Sequence, residues 1–217
     1  MEPLSRQFFA VDAESLAQKL LGCRLVRVLP SGERLVGIIV ETEAYLGVED
    51  RASHTFGGRR TARNESMWGP AGRAYVYFTY GMHYCMNISA GREGLPVAVL
   101  LRALEPVEGL ETMRELRAAK RARKRPLTDH ELCAGPARLC QAMGIDRVLD
   151  GLDLASPGLA DRPGAGVLFV ERRKKRSIPD EQIAAGPRIG LSGDNEWTRR
   201  ALRFGVAGSP YGSRPRL

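Results

Sequence analysis

A predicted β-strand that begins with aliphatic residues and ends in carboxylates is the first feature of this sequence that suggests chemistry. The segment is "LVGIIVETEAYLG", residues 35–47. Side chains alternate along a strand, so Glu41, Glu43 and Tyr45 are expected to share a face with Leu35 and Ile39. Both faces begin apolar, which predicts a central strand whose acids emerge from the core beside a cleft. The alternative is that the strand simply reaches solvent there.

An arginine in an apolar strand offers a partner for these acids. Arg102 follows "AVLL" in a segment that otherwise predicts a buried strand. Since a buried arginine is rarely left without a carboxylate or an anionic ligand, Glu43 or Glu41 is its natural partner. Such a pair could orient a water molecule, with the ionised glutamate as general base. Asn87, in "MNIS", is a further polar residue in an apolar context.

Aromatic side chains are concentrated in one short region. Tyr75 and Tyr77 are expected on the same face of a second strand, and Tyr80 lies next to a predicted turn at Gly81. The cluster comprises Trp68, Tyr75, Tyr77, Phe78, Tyr80 and Tyr84. The ordinary interpretation of such residues is packing within the sheet. In a basic chain, stacking on bases or wedging into a duplex is the alternative.

The charge of the chain suggests an anionic partner. Thirty-three Lys and Arg residues against 25 Asp and Glu give a net charge of +8 and a pI near 9.7. Nucleic acid is the first candidate and an anionic membrane the second, while a solvated surface tuned for solubility is the plain alternative. Basic residues cluster in "GGRRTARN" (57–64), "RELRAAKRARKR" (114–125) and "RRKKR" (172–176).

Several other classes of protein are disfavoured. The four cysteines have the wide spacing of reduced core thiols, and His130, Cys133 and Cys140 lack the second ligand pair of a zinc site. No glycine-rich nucleotide-binding loop, signal segment or stretch of ~20 apolar residues occurs. We therefore expect a cytoplasmic monomer without metal, cofactor or membrane anchor.

The pattern of elements predicts one mixed α+β domain over residues 1–217. Strand pairs are expected around Pro30–Glu33 and around Gly81, with a third buried strand at "PVAVLLRALEP". A helix capped by Asp12 should bury Leu16, Leu20 and Leu21, a helix should start at Pro106, and another should end at Gly144. After residue 145 the Gly- and Pro-rich sequence predicts irregular structure.

Six collinear blocks resemble the alkyladenine (3-methyladenine, methylpurine) DNA glycosylase family, in a bacterial-sized member. They are "VETEAYLGVEDRASH", "GGRRTARN", "YVYFTYGMHYCMNIS", "VLLRALEPVEGLETMR", "ELCAGPARLCQAMGI" and "EWTRRALRFGVAGSPY". The resemblance implies a curved antiparallel sheet with surrounding helices and a protruding hairpin that enters the minor groove of double-stranded DNA. It also implies excision of damaged purines by hydrolysis of the N-glycosidic bond, without cofactor or strand cleavage.

The resemblance also implies roles for individual residues. Glu43 matches the general base and Arg102 the arginine that helps to hold the water, while Ile189 matches the residue whose carbonyl does so too. Three rings match those that sandwich the flipped base: Tyr45, His54 and Tyr77. Asn87 matches the residue that crowds the 2-amino group of guanine, Tyr80 the wedge, Met82 its neighbour and Arg138 a phosphate contact. His83, Tyr84 and "RRKKR" depart from the family pattern.

Three rival functions remain open at the level of sequence. Glu41 and Glu43 would lie about 6.6 Å apart along a strand, which fits an inverting carbohydrate glycosidase. A DNA- or RNA-binding module without activity would explain the charge and the aromatics, but not Arg102 or Glu43. A metal-dependent nuclease would use the acids of residues 41–50 as ligands.

Overall fold

An eight-stranded antiparallel sheet forms the centre of the protein. A computed structural model of the chain describes residues 2–119, 125–157, 164–172, 178–193 and 195–217. The strands are β1 (Arg24–Val28), β2 (Arg34–Tyr45), β3 (Ala74–Thr79), β4 (His83–Ala90), β5 (Val97–Glu108), β6 (Val167–Glu171), β7 (Ile183–Gly186) and β8 (Arg203–Val206).

The long strand β2 organises this sheet. The main path runs β3-β4-β5-β2-β1-β6, and β8 pairs with both β2 and β7. One edge of β2 binds β5 along most of its length, while the other binds β1 through residues 34–38 and β8 through residues 41–43. The acidic end of β2 therefore lies between β5 and β8, as expected for a central strand.

Helices cover the apolar face of the sheet. They are α1 (Arg6–Phe9), α2 (Ala13–Leu20), α3 (Leu110–Ala118), α4 (Asp129–Leu132), α5 (Pro136–Ala142) and α6 (Glu196–Arg199). Asp12 caps α2 by accepting a hydrogen bond from the backbone N–H of Ser15, which confirms the predicted start, and Leu16, Leu20 and Leu21 are buried. In the described part of the chain, no helix is long and apolar enough to cross a bilayer.

The prediction of a helix beginning at Pro106 is wrong. Strand β5 continues through Pro106 to Glu108, and α3 begins at Leu110 after Gly109, whose φ is 76°. Proline can lie within the strand because the register between β2 and β5 shifts at Val36 and Gly37, opposite Pro106. A missing N–H is tolerated at such an irregularity.

Two further expectations need correction. The segment ending at Gly144 forms two helices, α4 and α5, because Cys133–Gly135 interrupt it and Pro136 starts a new helix. The region after residue 145 is not wholly irregular, since it contains β6, β7 and β8. Strand β6 pairs with β1, β8 pairs with β2, and β7 pairs with β8, so these short strands depend on distant partners rather than on a local alternating pattern.

Strand β2 does not keep strict alternation. Ile39 and Ala44 both belong to the main hydrophobic core, although they are five positions apart and strict alternation would place them on opposite faces. The register with β5 shifts between Ile39 and Glu41 and again between Glu41 and Thr42. The expectation that Leu35 and Ile39 share the face of Glu43 and Tyr45 is therefore wrong, because the irregularity turns the strand over. It also turns the two glutamates away from the apolar core.

Candidate active site

A cavity of about 530 Å³ opens on the face of the sheet opposite the main core. Strand β2 contributes Tyr45, and β5 contributes Arg102. Other residues named from the sequence also line it: His54, Tyr77, Tyr80, Asn87 and Ile189. The structure thus brings into one site seven of the ten residues predicted from the sequence, Arg102 and Tyr45 included.

The carboxylate of Glu43 lies beneath this lining and is fully buried. Its Oε1 atom is 3.0 Å from Nη1 of Arg102 and accepts a 2.7 Å hydrogen bond from the backbone N–H of Ile189. Its Oε2 atom accepts a 3.0 Å hydrogen bond from the hydroxyl of Tyr45. Since a carboxylate oxygen can accept two hydrogen bonds, Oε2 retains capacity for a further donor among the contacts of the described residues.

The surroundings of Glu43 act on its pKa in opposite directions. Burial raises the pKa of Glu43 above its ordinary value, and Arg102, the Ile189 N–H and Tyr45 oppose that rise. Burial works against the charge of Arg102, but the carboxylates of Glu43 and Glu41 outweigh it, so the pKa of Arg102 is raised. The pair therefore consists of a guanidinium that stays charged and a carboxylate whose pKa burial raises.

Glu41 is also buried, but its carboxylate is already occupied. Oε1 accepts hydrogen bonds from Arg102, Arg203 and Ser213, and Oε2 accepts one from the backbone N–H of Ser213. Neither glutamate is a surface residue, so the solvent interpretation of the strand end is wrong. An inverting pair of carboxylates facing one substrate does not fit this arrangement, because Glu43 contacts three residues of the lining, Tyr45, Arg102 and Ile189, whereas the described contacts of Glu41 reach the lining only through Arg102.

Aromatic rings form one wall of the cavity. His54 and Tyr77 lie edge to face with ring centroids 4.6 Å apart, and Tyr75 stacks on Tyr77 at 5.2 Å. The Nδ1 atom of His54 and the hydroxyl of Tyr75 are 2.8 Å apart. Tyr75 was assigned no role from the sequence, although it shares the strand face of Tyr77. These contacts orient a polar and aromatic surface toward the space above Glu43.

The imidazole of His54 is neutral near pH 7. Partial burial, together with the positive charges of Arg63 and Arg59, lowers the pKa of His54 to about 4. A neutral ring at this position presents its π-face or a nitrogen lone pair rather than a charge. The histidine is therefore suited to contact a cationic group without repelling it.

Tyr45 is held from behind by a buried ion pair. The guanidinium of Arg188 lies 4.6 Å from the ring centroid of Tyr45 and forms two hydrogen bonds with Asp50, of 2.5 and 2.9 Å. Arg188 also donates to the carbonyl oxygens of Ala44 and Trp197. The sequence did not suggest this ion pair. Its only local indication is that Arg188 immediately precedes Ile189 in "PRIGL".

Asn87 is fixed in the floor of the cavity. It is buried on β4, and its Nδ2 atom donates to the carbonyl oxygen of Tyr75 at 3.3 Å. The donor end of the amide is thereby tied to the backbone of β3. A ligand in the cavity would meet a side chain of fixed position.

Strands β3 and β4 pair as a hairpin, with Tyr80 and Gly81 at its turn. Tyr80 is 79% exposed and adopts a φ of 51°, a left-handed conformation unusual for a tyrosine, and Met82 is 66% exposed. Near this turn, Phe78 contacts Tyr84 with ring centroids 5.0 Å apart. Exposing two large apolar side chains costs solvation free energy, and such positions commonly mark interaction sites.

Basic residues surround a second, smaller cavity of about 380 Å³ beside the first. Arg51, Arg59 and Arg63 line it, and Arg63 donates to the carbonyl oxygen of Phe78 while lying 5.2 Å from the ring centroid of Tyr77. Arg138 is exposed on α5, near Pro136 at the cavity rim. Residues 120–124 and 173–176 of the other basic clusters lie outside the described residues.

The cysteines and His130 do not form a ligand set. All four cysteines are free and buried, and His130 packs against Tyr211. In the part of the chain that the structure describes, no group of three or more His, Cys, Asp or Glu side chains is arranged to hold a metal ion.

Known proteins are similar to this chain over nearly its whole length. A family model described as methylpurine-DNA glycosylase matches residues 7–210. Proteins named DNA-3-methyladenine glycosylase from Homo sapiens and Mus musculus are 48% and 47% identical to this chain over 210 residues, which is 96% of its length. The chain spans 67% of the human protein and 60% of the mouse protein. A putative 3-methyladenine DNA glycosylase from Clostridium acetobutylicum is 41% identical, with 95% of both chains covered. The chain therefore belongs to the methylpurine-DNA glycosylase family.

Proposed function

We propose that this protein is a monofunctional DNA glycosylase that removes alkylated or deaminated purines from double-stranded DNA. The candidate substrates are 3-methyladenine, 7-methylguanine, hypoxanthine and ethenoadenine. The products are the free base and an abasic site, formed by hydrolysis of the N-glycosidic bond. The observation that carries the proposal is the ion pair of Glu43 with Arg102, placed directly beneath a cavity with aromatic walls.

Glu43 is the group that activates water in this proposal. A water molecule that donates to Oε2 would be polarised toward the anomeric carbon C1′, and its proton would pass to the carboxylate. As the bond to the base breaks, the sugar becomes oxocarbenium-like, and the negative charge of Glu43 stabilises it. Arg102 keeps Glu43 ionised against the effect of burial. The backbone carbonyl of Ile189 is the proposed second acceptor for a hydrogen bond from this water.

The aromatic walls supply binding energy for an everted base. A base in a duplex hides its glycosidic bond, so the nucleotide must leave the stack at a cost of a few kcal/mol. Stacking on a ring returns about 1–3 kcal/mol per base. Tyr45, His54 and Tyr77 line the cavity and are the proposed partners. Electron-rich tyrosine faces favour cationic purines such as 3-methyladenine, which also leave readily.

The hairpin and the basic rim are the proposed DNA-binding surfaces. Tyr80 would enter the minor groove and fill the gap left by the everted nucleotide, with Met82 beside it. Arg51, Arg59, Arg63 and Arg138 would contact phosphates on either side. A monomer suffices for this, because the cavity, the hairpin and the arginines all belong to one chain.

Asn87 is the proposed selectivity residue. Normal guanine carries an exocyclic 2-amino group that hypoxanthine and adenine derivatives lack. A side chain held in place by its hydrogen bond to Tyr75 would crowd that group and so disfavour guanine. The base 7-methylguanine keeps the amino group, so its cationic ring and weakened glycosidic bond would have to offset the same crowding.

The proposal is tested with duplex DNA that contains one hypoxanthine or 3-methyladenine. The protein is incubated with this DNA in the presence of EDTA, and abasic sites are scored by alkaline cleavage. We expect excision that survives chelation, and no strand cleavage before alkali, since the described cavity lining contains no lysine that could form a Schiff base. Activity that requires a divalent cation would favour the nuclease alternative. Binding without any excision would favour the non-enzymatic module.

A further inference from the structure

A segment after β8 contacts the buried ion pair of Arg102 and Glu41 on the side away from the cavity. Ser213 lies in the tail that follows β8 and is buried, although the chain ends only four residues later. Leu217 packs against Gly186 of β7 and Gly205 of β8, where an added Cβ would come within 2.6 and 3.0 Å of its side chain. Arg203 donates a 2.7 Å hydrogen bond to the carbonyl oxygen of Pro215. The tail is thus docked onto the sheet beside the acidic end of β2.

Ser213 contacts both neighbours of the proposed catalytic glutamate. Its hydroxyl donates to Oε1 of Glu41 at 2.8 Å and accepts from Nη2 of Arg102 at 3.1 Å. Its backbone N–H donates to Oε2 of Glu41 at 2.5 Å. Nε of Arg102 also donates to this hydroxyl, at 3.4 Å, so one residue contacts both oxygens of Glu41 and two nitrogens of Arg102.

These contacts assign every nitrogen of the Arg102 guanidinium. Nε donates to Glu41 at 3.1 Å, Nη2 donates to Ser213, and Nη1 is 3.0 Å from Glu43. Because the guanidinium is planar and rigid, holding Nε and Nη2 determines where Nη1 points. The orientation of Arg102 toward Glu43 then depends on two groups on the side away from the cavity.

We propose that Ser213 is a positioning residue, which aims Arg102 at Glu43 through its hydroxyl and through its hold on Glu41. This inference rests on the proposed function. It goes beyond it in assigning the C-terminal tail to the excision step. Ser213 does not line the cavity as described, and its effect on the reaction passes through Arg102.

Loss of the Ser213 hydroxyl should change both the excision rate constant and its dependence on pH. With Nη2 released, the guanidinium can rotate, and its hold on the Glu43 carboxylate weakens. The remaining groups that act on Glu43 are the Ile189 N–H, Tyr45 and the more distant Arg188. Burial would then raise the pKa of Glu43 further, and the acid limb of the excision rate would move to higher pH.

The test compares Ser213→Thr with Ser213→Val, two side chains of the same shape that differ in the hydroxyl, together with Ser213→Ala. Single-turnover excision from hypoxanthine DNA is measured against pH, with DNA affinity and thermal unfolding recorded for each variant. For Val and Ala we expect a rate constant about tenfold lower than for Thr and wild type, an acid limb at higher pH, and unchanged DNA affinity. Ser209→Ala is the matched tail control, because the Ser209 hydroxyl contacts only the backbone N–H of Tyr211 among the described hydrogen bonds.

Equal rates and equal pH profiles for the Thr and Val variants would overturn the positioning role. If Val lost rate only in proportion to its unfolded fraction, with the pH profile unchanged, the tail would be structural and the proposal would also fall. The wild-type protein separates the two hypotheses. Absence of excision by the wild type would refute the proposed function and the positioning role together, whereas normal excision by all Ser213 variants would refute the positioning role alone.

Discussion

Replacing Glu43 by glutamine should abolish excision and leave the protein folded. Glutamine has nearly the same shape, and its amide oxygen can accept the hydrogen bonds that Arg102 and Ile189 now donate to Oε1. Arg102 also keeps its contacts with Glu41 and Ser213. The substitution therefore removes a charge and a proton acceptor, and few packing contacts.

The expected loss can be worked out in two ways. General base catalysis typically contributes a factor of about 10²–10⁴ to the rate. A negative charge about 4 Å from a developing positive charge is worth about 4 kcal/mol at an effective dielectric constant of ~20. At ~1.36 kcal/mol per factor of ten, this corresponds to about 10³. Both routes predict a decrease of about a thousandfold in the single-turnover rate constant.

The same substitution should leave the melting temperature unchanged or raise it, although it lowers the excision rate. The pKa of Glu43 is raised in the folded protein, so at pH 7 the ionised carboxylate is less favourable there than in the unfolded chain. This cost is fully present above the raised pKa of the folded state, shrinks as the pH falls toward the unfolded pKa, and is gone below it. A neutral glutamine avoids it, so we expect a melting temperature at or above that of the wild type. Loss of activity through misfolding would instead lower it.

The assay uses enzyme in excess over a duplex with a single hypoxanthine, quenched with alkali at intervals. Glu49→Gln is the matched control, because it removes the same charge from an exposed residue of the neighbouring turn. A Glu43→Gln rate within tenfold of the wild type would refute the assignment of the general base. An equal loss in Glu49→Gln would show that only the overall charge matters.

Three further outcomes are expected. Tyr80→Ala should weaken binding to lesion DNA and slow excision with no change in melting temperature, because the side chain is 79% exposed; unchanged affinity and rate would exclude the wedge role. Asn87→Ala should release guanine from G·T mismatches, measured as new abasic sites in undamaged duplex, and failure to do so would remove its selectivity role. Arg59→Gln combined with Arg63→Gln should lower the slope of log Kd against log salt by about 2, measured by fluorescence anisotropy. An unchanged slope would show that Arg59 and Arg63 do not contact phosphates.

Local patterns were sufficient to predict two hairpins and one helix in the first half of the fold. The hairpins around Gly32 and Gly81 and the helix after Asp12 depend on turn and cap residues that act within a few positions. A contact of Arg102 with Glu43 or Glu41 was also predictable, since a buried arginine requires an acid, and Arg102 contacts both. Each of these inferences needed only burial and one neighbouring element.

What the sequence could not reveal depends on distant partners. Strands β7 and β8, "IAAG" and "RFGV", have no clear alternation, and their pairing with each other and with β2 creates them. The irregularity of β2 near Glu41 depends on its register with β5. The contacts of Ser213 depend on a tail that returns to residue 41 from the far end of the chain. Nonlocal geometry of this kind leaves little trace in any short window.

The balance of charge around Glu43 explains how one site could serve both cationic and neutral purines. Glu41 and Glu43 are matched by Arg102 and Arg203, and Asp50 is matched by Arg188, so the buried groups carry no net charge. A cationic base entering this cavity meets neutral His54 and tyrosine faces, with the arginines of the rim outside. A neutral base must instead be protonated before it leaves. The described cavity lining contains no Asp or Glu side chain, its His54 is neutral near pH 7, and Glu43 beneath the lining must be ionised to act as base. Cationic lesions should therefore be excised faster over the whole pH range, and the difference should narrow as the pH falls toward the pKa of the leaving base.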